Sequence, residues 1–243
     1  QMAAVIFLES RRLTKTYAGL HANTDIDFTL ARGRVTALIG PNGAGKSTFV
    51  GMVSGRTPAT RGQVFFEGRD ISALPAHKRI QLGLAYTFQI TSIFPGLSLH
   101  ENVALAARRI LGGDPRRTDE KVRAVLQRVG IDARADQIAG DLSYGHQRLL
   151  EIAMGLAQDP KIFILDEPTQ GLAESEVQDF ITLIRALAGE TTILLIEHNM
   201  KVVMAAADHI TVRDQGMVLA YGTPEEIHAN PAVQAAYLGT TDA

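Results

Sequence analysis

The chain has 243 residues, 46% of them apolar, and a formal net charge of −2. That length carries a sizeable core, in one large domain or a domain with an inserted piece, and the near-neutral balance gives no electrostatic reason to expect nucleic acid as a partner. Cysteine is absent, which excludes disulfides and thiolate metal sites.

In chain order, "QMAAVIFLES" lacks the basic start and long apolar core of a secretory signal. The first thirty residues hold strand-like runs, "VIFLES" and "TDIDFTL", split by Gly19. "RVTALIG" is an apolar, β-rich run ending in glycine, with a helical segment after Lys46, and "GQVFFEG" is a short strand between glycines. A membrane helix needs roughly 18 or more mostly apolar residues. The longest uncharged stretch, between Arg79 and Glu101, is broken by Gln89, Thr91, Ser92, Pro95 and Gly96. Any membrane role therefore goes through a partner.

From about Leu97 to Leu156 the pattern turns helical, with Val122, Val125, Leu126 and Val129 forming one buried face behind "PRRTDEKVR", which opens the helix with Pro and acids in its first turns. "KIFILDEP" then reads as a buried strand, "SEVQDFITLIRALAG" as a helix ended by Gly189, and "TTILLIEH" as a second buried strand. Continuous Ile/Leu runs around a helix imply a parallel sheet covered on both faces. The expected fold class is α/β, with a helical insertion near residues 88–156.

"GPNGAGKST" supplies Gly40, Pro41, Asn42, Gly43, Ala44, Gly45, Lys46, Ser47 and Thr48. It matches the phosphate-loop pattern G-x-x-x-x-G-K-[ST] in full, between a predicted strand and a predicted helix. The glycines let successive N–H groups curl toward phosphate oxygens. The helix N-terminus and Lys46 add positive charge, and Ser47 can ligate Mg²⁺. Kinase, GTPase and ATPase all remain open on this motif alone. "IFILDE" narrows the choice by placing Asp166 and Glu167 at the carboxyl end of a buried strand, where α/β folds bind ligands. There Asp166 is expected to hold Mg²⁺ and Glu167 to polarise an attacking water.

"GDLSYGHQRLLEIA" places Ser143 as a nucleophile, a helix cap or half of a binding site. A hydrolase elbow needs G-x-S-x-G, and Gly140 falls one residue too early, while His146 has no evident orienting acid. A helix cap uses serine well, and a capped N-terminus with free N–H groups is also an anion site.

The phosphate loop and "LDE", with "LSYGH" between them, resemble the nucleotide-binding subunits of ABC transporters. "LSYGHQRLLEIAMGLAQDPKIFILDEP", "TTILLIEHNMKVVMAAADHITVRDQGMVLAYGTPEEI" and "NPAVQAAYLG" look more particularly like the ATPases of branched-chain amino acid importers. The resemblance implies a P-loop NTPase (RecA-like) parallel-sheet core, an N-terminal antiparallel β subdomain and an inserted α-helical subdomain. It divides the chain into residues 1–87, 88–156 and 157–243.

It further implies that Tyr17 stacks on adenine, that Gln89 senses Mg²⁺ and the γ-phosphate, and that His198 is the switch histidine. Leu142, Ser143, Tyr144, Gly145 and His146 would form the signature that meets a partner subunit's ATP. Here Tyr144 stands for the usual first glycine and His146 for glutamine, while Ala173 falls where the family often has an acid or asparagine. The implied cofactors are ATP and Mg²⁺. The implied partners are a second ATPase subunit (self or paralogue), two permease subunits and, indirectly, a periplasmic binding protein, with the chain peripheral on the cytoplasmic face of the inner membrane. An exporter ATPase shares every catalytic motif. A soluble ABC-type ATPase acting on ribosomes or nucleic acid would instead carry paired domains or basic patches.

Overall fold

The computed structural model describes residues 6–87 and 92–238. The chain opens with a long hairpin, β1 (Ile6–Tyr17) and β2 (Leu20–Ala31), turning at Ala18 and Gly19. With β4 (Arg61–Phe66) and β5 (Arg69–Asp70) it forms an antiparallel sheet in the order β2-β1-β4-β5.

A second, six-stranded sheet runs β10-β9-β3-β8-β7-β6. Its members are β3 (Val35–Ile39), β6 (Leu84–Tyr86), β7 (Ile162–Asp166), β8 (Thr192–Ile196), β9 (His209–Asp214) and β10 (Met217–Gly222). All neighbours are parallel except β9 and β10. Every residue of β3, β7 and β8 is buried, because period-2 alternation sends neighbours into different cores. Phe163 and Leu165 of β7 and Ile193 and Leu195 of β8 pack with the helices on one face. Ile162, Ile164, Leu194 and Ile196 pack on the other, with the antiparallel sheet and helix α1 (Lys46–Ser54). Phe28 of β2 and Phe49 of α1 meet edge to face at 5.2 Å and tie the antiparallel sheet to α1.

Helix α2 (Ala76–Gln81) precedes β6, and among the described residues three α-helices then follow before β7: α3 (Leu99–Leu111), α4 (Pro115–Arg128) and α5 (Tyr144–Leu156). Each starts where the sequence supplies a cap: Ser98 with Glu101 in a capping box, Asp114 ahead of Pro115, and Ser143. Val122, Val125, Leu126 and Val129 are all buried against α3 and α5 as the helical spacing predicts.

After β7 come α6 (Glu174–Leu187) and α7 (Met200–Ala206), and after β10 come α8 (Pro224–His228) and α9 (Pro231–Leu238). One expectation shifts here: α6 ends at Leu187 with Ala188 as its cap, still in right-handed helical geometry, so the stop precedes Gly189. No helix among the described residues is long and apolar enough to cross a membrane.

Candidate active site

The loop from Gly40 to Gly45 joins buried β3 to α1. Gly40, Gly43 and Gly45 take φ of 154°, 84° and 78°, the last as the N-cap of α1. A side chain is barred at Gly45 twice over. Its backbone is left-handed, and an added Cβ would stand 2.2 Å from the Ala22 carbonyl oxygen and 2.9 Å from Asn23 Nδ2. The contact is functional packing, since Asn23 Nδ2 donates to the Gly45 carbonyl at 3.1 Å and so fixes the loop to β2.

Lys46 is buried, and its ammonium donates to the carbonyls of Gly40 (2.6 Å) and Pro41 (3.0 Å). Burial pulls its pKa below the usual lysine range, while the Glu167 and Asp166 charges push the other way. Beneath the loop lies Arg213, fully buried, with its guanidinium 5.4 Å from the Phe49 ring centre and its pKa lowered to about 10 by burial. The loop walls a cavity of about 420 Å³, lined by Leu20, His21, Ala22, Asn42, Gly43, Gly45, Lys46, Ser47, Thr48 and Glu167. Its size suits a small-molecule ligand.

Asp166 and Glu167 arrive on the neighbouring region of the sheet and have different settings. Asp166, at the end of β7, is buried and accepts a hydrogen bond from the Tyr86 hydroxyl at 2.5 Å. Desolvation holds its carboxyl above the ordinary aspartate range, against the Tyr86 hydrogen bond. The same burial, together with Asp166, drives the Tyr86 phenol upward. Glu167 has φ of 47°, a backbone geometry that a non-glycine residue rarely adopts and that clusters at functional positions. Its N–H donates to Ile196 O at 2.9 Å. Its Oε1 lies 3.8 Å from His198 Nδ1, beyond hydrogen-bond range, and the His198 side chain is 59% exposed.

The remaining expected site residues lie elsewhere. Tyr17 is exposed at the end of β1, outside the cavity lining, with Lys15 Nζ 4.8 Å from its ring centre; Leu20 and His21 of the same hairpin reach the cavity instead. Gln89 lies outside the described residues.

Ser143 caps α5, accepting from the His146 N–H at 3.4 Å, with Oγ 2.7 Å from His146 Nδ1. Among the described residues no carboxylate is hydrogen-bonded to His146, so the Ser–His pair has no orienting acid. Gly145 and His146 border a separate, largely apolar cavity of about 510 Å³ against α6. Ser143 is not among the residues that line the phosphate-loop cavity.

Tyr144, where the resemblance implies a glycine, packs its ring over Gly171, at which an added Cβ would stand 3.1 Å from the ring. Its hydroxyl accepts from Arg148 at 3.1 Å, and Arg148 pairs with Glu151 at 2.8 Å in the interior of α5. Ala173 uses its N–H rather than a side chain, donating to Glu176 Oε2 at 2.8 Å. Sequence reasoning passed over Asn23, Tyr86 and Glu197. Only Glu197 carried a signal, as an acid directly joined to an otherwise apolar strand.

A glycine-curled phosphate loop between a parallel strand and a helix, with a carboxylate pair at a nearby strand end, defines a P-loop nucleoside triphosphatase. The family model of the ABC transporter matches residues 23–170. That of the branched-chain amino acid ATP-binding cassette transporter matches residues 217–243. The chain belongs to the ABC transporter family, as one of its ATP-binding ATPases.

It is 39% identical to the high-affinity branched-chain amino acid transport ATP-binding protein BraF of Pseudomonas aeruginosa, over 96% of this chain and 97% of that protein. It is 36% identical to LivG of Escherichia coli strain K12, a protein of the same description, over 93% and 95%. It is also 36% identical to the lipopolysaccharide export system ATP-binding protein LptB of Acidithiobacillus ferridurans, over 96% of each. Among solved structures, the ADP conformation of the ATP-binding cassette MJ1267 superposes with a TM-score of 0.86 at 27% identity, covering 97% of this chain and 99% of that one. The cbiO1 protein of Clostridium perfringens gives 0.85 at 27%, with the same coverage.

Proposed function

We propose that this chain is the ATP-binding subunit of an importer, hydrolysing ATP at an interface between two such subunits to drive uptake of amino acids, branched-chain ones foremost, through a membrane permease. The carrying observation is the match of residues 217–243 to the branched-chain family model, in a chain that aligns over 96% of its length with BraF and 93% with LivG. The partner ATPase is a second copy or a paralogue, and the chain sits peripherally on the cytoplasmic face of the inner membrane. A periplasmic binding protein delivers the solute, and the functional units are residues 1–87, 88–156 and 157–243.

The loop N–H groups and Lys46 bind the phosphates of ATP. Lys46 exchanges the Gly40 and Pro41 carbonyls for phosphate oxygens, and burial strengthens that exchange. Glu167 orients and polarises the attacking water, and His198 holds the γ-phosphate side of the site. Tyr17 offers its exposed ring to adenine. The N-terminus of α5, with Ser143 as cap, faces the γ-phosphate bound by the partner, which makes ATP a bridge; hydrolysis removes the bridge and the pair reopens.

The donor set fits Mg²⁺, a hard cation that keeps most of its ligands as water and phosphate. Asp166 is a desolvated carboxylate awaiting positive charge, Ser47 opens on the cavity, and Gln89 would complete the set. When bound, Mg²⁺ would neutralise charge on the β- and γ-phosphates.

The LptB likeness favours one rival, an export ATPase. Purifying the chain from membranes with its permease and assaying solute-stimulated ATPase in proteoliposomes separates the two. Stimulation by a binding protein loaded with branched-chain amino acid supports import, and stimulation by lipopolysaccharide would overturn it.

A further inference from the structure

Glu197 sits between the last residue of β8 and His198 and has no solvent exposure. A carboxylate in that position needs partners, since an unpaired buried charge is costly. Four donors converge on it. Oε1 accepts from the Thr169 N–H at 3.1 Å and the Thr169 hydroxyl at 2.5 Å. Oε2 accepts from the N–H groups of His198 (3.1 Å) and Asn199 (3.3 Å). Three of the four are backbone N–H groups that can only donate, shared between both oxygens, a pattern that an acceptor-only carboxylate satisfies and a carboxamide cannot.

The partners belong to two separate loops. Thr169 lies two residues beyond Glu167, and the Glu167 N–H is itself bonded to Ile196 O at 2.9 Å. The segment 167–169 is therefore fastened at both ends to the segment 196–199. Both Glu167 and His198 hang from this joint, one with its backbone at positive φ and the other exposed.

We propose that Glu197 is the positioning residue that fixes the switch histidine relative to the catalytic carboxylate, so that the two loops approach ATP as one body. This rests on the reading that Glu167 and His198 act in hydrolysis. Glu197 is fully buried, and its effect runs through the backbone and the Thr169 hydroxyl that it holds. Glu197→Gln keeps the volume but turns an NH₂ group toward at least one backbone N–H, whichever way the amide faces.

The test measures ATP affinity and steady-state turnover of the full-length protein for Glu197→Gln, His198→Ala and the double variant. Glu197→Gln is expected to lower kcat about tenfold or more while ATP affinity stays within about threefold. In the His198→Ala background the same change should cost less than about threefold, because the placement it controls no longer matters. Multiplying losses, an affinity that falls in step with kcat, or an unchanged kcat would overturn the proposal.

Thr169→Val removes one donor and leaves the other three in place. It supplies the same comparison should Glu197→Gln fail to fold, with a smaller loss of kcat expected that is again absent without the histidine. Normal turnover in Glu167→Gln and His198→Ala themselves would instead remove the reading beneath it, a failure distinct from additivity.

Discussion

Gly45→Ala offers a quantitative test of how the phosphate loop is held. Two costs combine at this position. The left-handed backbone, φ 78°, penalises any side chain by about 1–2 kcal/mol. The new Cβ also falls 2.2 Å from the Ala22 carbonyl oxygen, an overpacking contact against backbone worth about 1–3 kcal/mol. Gly43 separates the terms, since its φ is 84° but an added Cβ there meets nothing within 4 Å.

For a chain of this size each kcal/mol moves the melting temperature by about 2–4 °C. Calorimetry of the nucleotide-free protein should then show Gly43→Ala lowered by roughly 2–8 °C. Gly45→Ala should fall a further 2–12 °C or so and lose ATP binding through the broken seat on Asn23. Equal melting temperatures for the two variants would refute the argument that the Ala22–Asn23 edge of β2 shapes the loop.

Asp166→Asn should raise the stability of the nucleotide-free protein. Burial lifts the native carboxyl's pKa, so the folded state binds the proton more readily than the unfolded chain, and the group's contribution to stability falls as pH rises through its native pKa. The gain in melting temperature over wild type should therefore widen as pH rises above the ordinary aspartate range, while the stabilisation given by Mg²⁺ and ATP disappears; a gap that narrows toward neutrality would contradict the sign. Ser143→Ala removes a cap worth about 1 kcal/mol. It should leave ATP affinity of the single subunit unchanged but slow hydrolysis, measured as turnover against ATP concentration, if the proposed function is right that Ser143 meets the partner's nucleotide.

The elements that the sequence showed most plainly were those governed by local rules. The apolar runs of β7 and β8, the glycine spacing of the phosphate loop and the serine ahead of α5 each act within a few residues. The hairpin β1–β2 was read too short, as "VIFLES" and "TDIDFTL", and the reason is visible in its register. Bulges between Ser10 and Leu13 and between Leu13 and Lys15, with Arg12 and Asp25 at positive φ, break the alternation by which a strand is recognised. The partners of the long-range polar contacts are not legible locally, even where the residue itself stands out as Glu197 does: Tyr86 reaches Asp166 from 80 residues away, and Glu197 reaches Thr169 across 28. Such pairings depend on strand order, which no local pattern encodes. Tyr144 looked like a departure from the signature, and its compatibility came only from Gly171 beneath its ring.

The central claim, that Glu167 drives hydrolysis of ATP seated on the phosphate loop, is tested most directly by Glu167→Gln. ATP affinity and steady-state turnover are measured on the same preparation. The account predicts affinity within about threefold of wild type and turnover lower by about a hundredfold or more, the loss expected when a general base is removed. Turnover at the wild-type rate with intact ATP binding would contradict it.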